Sequence, residues 1–200
     1  MKTMHETALE AIGLIPAERR FRPQDAAAIT EHRDLLLSIE PDLIKGFYDT
    51  LYAHPPTAQV LGIDERPSRE ETLSGWWRRT VNGPLDEDYF AWMAMVGLVH
   101  VVRNVTNPMM LPMVEFVSST ATAKIHASAM PPDAAADLVD AVRRLCATVA
   151  SIITYGYDQA VVSALYSVAG MPEGLLRRLR DQEVESELAK SRTELGLAAR

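Results

Sequence analysis

Near neutral pH, histidine is the side chain best suited to hold a metal or move a proton. Of the five histidines in these 200 residues, His100 alone lies inside an almost uninterrupted apolar run, Phe90 to Val102, FAWMAMVGLVHVV. A neutral imidazole in such surroundings can ligate a metal, or it can hydrogen-bond a main-chain carbonyl as an ordinary core residue. His5 and His32 sit among polar residues, His54 precedes Pro55, and His126 falls near a helix end, so none of them shares this setting. Gly97 lies three residues before His100. In a helix the two share a face with no side-chain bulk beside the imidazole. Either a flat cofactor lies against that face, or the glycine serves a close helix crossing. Carboxylates, His, Ser and Cys do not cluster at helical spacing on a pocket-like face, which makes metal-independent acid–base catalysis the weakest reading.

A second chemical group sits at Tyr48. Leu43, Ile44, Phe47, Tyr48 and Leu51 recur at the spacing of one helical face. The phenol therefore points where its neighbours are buried, and its hydroxyl needs a partner. That partner is either a bound ligand with partial negative charge or a backbone carbonyl. Further on, Ser68, Thr72, Gly75, Trp76 and Arg79 also fall on one helical face. Thr72 is there either as a second hydroxyl donor or as a threonine of the first turns without a role. Met93, Met95, Met109, Met110 and Met113 read as gap-filling core.

Helices must position these groups, and the punctuation marks them out. The sequence predicts a short leading helix over Met4–Ile15, stopped by Pro16, then a helix over Pro23–Ser38. Another runs from Pro41 to about His54, where Pro55-Pro56 is read as its end. The next opens at Pro67-Ser68 and stops at Asn82-Gly83-Pro84. Leu85-Asp86-Glu87-Asp88 places carboxylates in the first turn of the helix that carries His100. Asn107-Pro108 opens a helix to about Ala129, and Pro131-Pro132-Asp133 opens a very long one to Gly170. At 1.5 Å per residue the last is on the order of 50 Å long. That exceeds the need of one small core and suggests a helix-paired dimer. The expected organisation is a leader and connector over 1–22, a main domain over 23–170, and a charged tail over 171–200. The tail is either a solvated helix, a disordered segment or the start of a coiled coil.

Composition narrows the function classes. A formal net charge of −7 and a pI near 5.2, with no sustained basic stripe, argue against nucleic acid. Cys146 is the only cysteine, which excludes an intramolecular disulfide and any multi-cysteine metal site. The first 17 residues lack the pattern of a signal peptide, and no run reaches about 18 apolar residues. The expectation is a soluble cytoplasmic protein that does not enter a membrane.

The segment from Phe47 to about Pro112 resembles the globin-coupled sensor and protoglobin lineage. The motifs that carry the resemblance are Phe47-Tyr48, the helix from Trp76 to its Gly83 turn, Asp86-Glu87-Asp88-Tyr89, and Gly97-Leu98-Val99-His100. The resemblance implies an all-α globin fold with an extra N-terminal helix and a long C-terminal one. It implies haem b, with His100 as proximal iron ligand, and Phe47, Tyr48, Thr72, Trp76, Val96 and Gly97 around the cofactor. Tyr48 and Thr72 take the distal, ligand-facing roles. The bottom-up reading agrees, because a globin needs one neutral imidazole, an open sixth iron position and an apolar pocket. Lys45, Arg78, Arg79 and Arg103 are candidates for the haem propionates. The implied function is reversible binding of O₂, CO or NO in a gas or redox sensor. It would act as a homodimer, paired through the last two helices of the globin domain, on a signalling partner. NO or O₂ redox chemistry would need an electron source that this chain does not encode. Two alternatives stand beside it: a haem-free globin-like regulatory module, and a helical interaction protein unrelated to globins.

Overall fold

In a computed structural model, which describes residues 2–197, the chain is helical, with no strand among the described residues. In chain order the helices are α1 (Met4–Leu14), α2 (Pro23–Glu31), α3 (Arg33–Ser38), α4 (Glu40–Ala53) and α5 (Pro55–Leu61). They continue as α6 (Arg66–Asn82), α7 (Glu87–Val102), α8 (Asn107–His126), α9 (Pro132–Ala169) and α10 (Glu173–Glu194). A single 3₁₀ turn, Ile63–Glu65, leads into α6.

The predicted elements are present, with two differences. The span predicted as one helix over Pro23–Ser38 is divided at His32 into α2 and α3. Pro55-Pro56, read as a stop, instead opens α5. Proline ends one helix and fits the first turn of the next, where its missing N–H has no partner to lose.

Local chemistry fixes several helix ends. Thr3 and Glu6 form a reciprocal capping box at the start of α1. The Asp86 carboxylate accepts from the Tyr89 N–H at 3.0 Å and starts α7. Gly83, at φ +67°, stops α6 and donates its N–H to the Arg79 carbonyl.

The chain divides into two units at Ala160. In the first, α9 supplies much of the core, with Leu138, Val142, Leu145, Val149 and Ile152 all buried. It meets α7 at very short range. A Cβ added to Gly97 would lie 2.5 Å from the Ile153 carbonyl oxygen, and one added to Gly156 would lie 2.6 Å from that of Ala94. The two helices thus cross backbone to backbone at a pair of glycines. Along its N-terminal half α7 also receives α1, whose buried Ala8 and Ala11 permit close approach and whose His5 reaches the Asp88 carboxylate at 2.8 Å. Asp25, at 2% exposure, receives two hydrogen bonds from the Arg144 guanidinium, at 2.7 and 2.9 Å, joining α2 to α9. The Asp25 pKa is lowered: desolvation acts to raise it, and the bonds from Arg144 and Arg22 outweigh that.

The second unit holds the end of α9 and α10. No residue of α10 is buried, and Leu175, Leu179, Val184 and Leu188 are exposed along it.

Gly156→Ala should lower stability by about 1–3 kcal/mol or more, because main chain cannot yield as a flexible side chain would. Gly75, on α6, has nothing within 4 Å of an added Cβ, and Gly75→Ala should stabilise by about 0.5–1 kcal/mol. Urea unfolding midpoints of the two variants moving in the same direction would contradict this packing.

Candidate functional site

His100 sits in the last turn of α7. Its carbonyl accepts the Val105 N–H at 2.9 Å across the turn made by Arg103 and Asn104, the latter at φ +57°. The imidazole is partly buried, and its Nδ1 is a buried polar atom with no hydrogen-bond partner. An unpartnered buried group of this kind costs about 1–3 kcal/mol. Burial pulls the imidazole pKa below its ordinary value, so the ring is neutral at pH 7 and keeps a lone pair for a Lewis acid.

The backbone of α9 at Ile153, Gly156 and Tyr157 occupies the place of the side chain that Gly97 lacks, so the helix crossing is itself sufficient reason for a glycine there. Val96, beside it, is partly buried and packs on the core.

Phe47 and Tyr48 are carried by α4. Phe47 meets Tyr48 and Phe116 edge to face, with ring centroids 5.2 and 6.2 Å apart. Phe116 is held close because Gly46 lets α8 approach α4; an added Cβ would be 2.9 Å from its ring. Tyr48 is buried as its spacing predicted, and its hydroxyl donates to the Arg69 carbonyl of α6 at 2.7 Å. Burial is the main reason the phenol pKa is pushed up to about 12, so the hydroxyl remains a donor at any physiological pH.

On α6 the structure separates two residues that the sequence grouped. Trp76 is partly buried against the core and lies 6.0 Å from the Trp77 ring. Thr72 is exposed, and its hydroxyl donates to the Ser68 carbonyl one turn back. Trp77, Thr80 and Val81 turn inward, with the Trp77 indole donating to the Leu36 carbonyl, and this rotation leaves Thr72 facing out.

The residues that hold Tyr48 in place lie at the corner between α5 and α6, where the sequence reading placed none. Arg69 Nε donates to the Leu61 carbonyl at 3.0 Å, and its terminal nitrogen reaches Glu65 at 2.5 Å. Tyr52 donates to the Gly62 carbonyl at 2.9 Å, and Arg66 bridges Asp49 and Glu70 at 2.7 Å each. Glu65-Arg69 and Arg66-Glu70 are i,i+4 pairs, a signal present in the sequence. Of the four basic candidates for propionates, each is engaged within the chain: Lys45 with Asp49, Arg78 with Glu40, Arg79 with Asp86, and Arg103 with Glu65.

No three His, Cys, Asp or Glu side chains converge on a metal position among the described residues. In the haem-free protein, the folded imidazole has the lower pKa, so the unfolded chain takes up the proton first as pH falls through about 6.5. Relative to His100→Leu, wild type should therefore lose stability between about pH 7.5 and pH 5.5. Urea midpoints whose difference stays constant over that range would contradict the desolvated ring.

Three comparisons bear on this arrangement. The protoglobin family model matches residues 19–163, which include Phe47, Tyr48, Trp76 and His100. Among solved structures the chain is similar to the globin domain of the Geobacter sulfurreducens globin-coupled sensor, at 22% identity and a TM-score of 0.66, over 78% of this chain and 99% of that one. No curated protein matches the chain. With the family model covering well over half of the sequence, and the fold agreeing with a solved globin domain, the chain belongs to the protoglobin family and is a globin.

Proposed function

We propose that this globin binds haem b through His100 and reversibly takes up a diatomic gas, O₂, CO or NO, as a gas or redox sensor. The observation that carries the reading is the His100 ring: neutral, partly buried, and with one nitrogen left without a partner inside the chain. The residues fit the group. Phe47, Val96 and Trp76 are partly buried apolar side chains on three different helices, α4, α7 and α6, suited to line a macrocycle. When bound, the haem supplies an iron with an open sixth position at which a diatomic gas can sit.

The chain supplies the rest. His100 holds the iron with a neutral ring and orients it from the last turn of α7. Tyr48 keeps its hydroxyl proton and can donate it to a gas that carries partial negative charge, once it exchanges the Arg69 carbonyl for that acceptor. The apolar and aromatic residues exclude water that would compete for both. The same reading includes a homodimer paired through α8 and α9, supported by Leu111, exposed on α8, and by the length of α9. A sedimentation mass of 22.1 kDa would remove the dimer from it.

Ferrous protein loaded with haem should take up CO with a shifted Soret band. Tyr48→Phe should speed O₂ dissociation about fivefold, the change expected for one hydrogen bond of about 1 kcal/mol. No haem uptake by wild type would instead favour the haem-free regulatory module.

A further inference from the structure

Arg103 closes α7 three residues after His100, and its position follows that of the histidine turn: its own N–H bonds the Val99 carbonyl at 2.9 Å, while Val105 bonds that of His100. Its guanidinium reaches both carboxylate oxygens of Glu65, at 3.2 and 3.4 Å, across 38 residues of sequence. Glu65 sits at the cap of α6 and also grips Arg69 one turn on, at 2.5 Å. Arg69 is the less exposed partner, 19% at its side chain, and is fastened a second time at the Leu61 carbonyl. Its own carbonyl holds the Tyr48 hydroxyl. One carboxylate therefore joins the helix end that carries the imidazole to the carbonyl that occupies the phenol.

We infer that Glu65 is a positioning residue that couples the His100 end of α7 to Tyr48, so that a displacement of either side is passed to the other through Arg103, Glu65 and Arg69. The inference rests on the haem-globin reading for its role in gas binding, while the mechanical link itself is a property of the chain alone. An ordinary exposed ion pair would contribute little. Here the carboxylate has two cationic partners on different helices, and both of its oxygens are used. The coupling is electrostatic and partly exposed, so salt should weaken it as the screening length contracts towards the size of the pair.

Two measurements test this. In haem-free protein, Glu65→Gln should raise amide hydrogen exchange in the last turn of α7 as well as in the first turn of α6. Glu70→Gln, which removes only the neighbouring Arg66 pair, should leave the α7 end unchanged. A rise confined to α6 would show that Glu65 transmits nothing to α7 and would overturn the inference. In haem-loaded protein at low salt, Glu65→Gln should change the O₂ dissociation rate about two- to fivefold. The change should vanish in a Tyr48→Phe background and shrink at high salt. An equal change in both backgrounds would mean that Glu65 acts on the fold and not through the tyrosine, and would also overturn it. If wild type takes up no haem, the proposed function fails while the exchange experiment still decides the link.

Discussion

The backbone contact between α7 and α9 is the constraint on which the site depends. Two glycines, Gly97 and Gly156, face main chain on the opposite helix, and neither place leaves room for a methyl group. Close packing of this kind fixes the depth and rotation of α7 more tightly than interleaved side chains, because main chain has no rotamers to repack. Once that rotation is set, His100, one turn beyond Gly97, comes off the crossing into partly buried surroundings, with neither exposure to water nor an internal partner at Nδ1. α1, packed on the other half of α7, and the Asp25–Arg144 pair, which joins α2 to α9, hold the surroundings of that crossing.

From this frame the electrostatics follow. Desolvation acts on two groups in opposite chemical senses: it favours the neutral base at His100 and the neutral acid at Tyr48. The first is thereby a lone-pair donor and the second a proton donor at neutral pH. The α5–α6 corner adds the third part, a set of ion pairs and carbonyl contacts that fastens α4, α6 and the end of α7 at one place. The Tyr48 hydroxyl is satisfied by the Arg69 carbonyl, so a ligand must offer it a comparable acceptor to draw it away.

Much of this was legible in the residues. An apolar run at every helical phase with a single histidine marked α7, and the acidic first turn gave its start within a residue or two. Tyr48 was read as buried from the phase of Leu43, Ile44, Phe47 and Leu51, and it is. What the sequence left open at Gly97, cofactor or crossing, needed the position of Gly156, 59 residues further on. The rotation of α6 was not legible for a related reason: Ser68, Thr72, Gly75 and Trp76 share a face, but the buried anchors Trp77, Thr80 and Val81 decide which face turns inward, and Trp77 is anchored on α3. At Pro55-Pro56, the same residues that end one helix begin the next. The Arg103–Glu65 contact joins residues 38 apart with no periodic signal between them.

The proposed function stands or falls with His100 as the protein ligand to a haem iron. Resonance Raman of the ferrous, gas-free, haem-loaded protein reads the iron–histidine stretch directly. Ligation by His100 predicts a band that shifts on ¹⁵N labelling of histidine, is absent in His100→Gly, and returns when free imidazole is supplied to that variant. A haem-loaded His100→Gly variant that keeps the band without added imidazole would show that another histidine holds the iron, and would contradict ligation by His100.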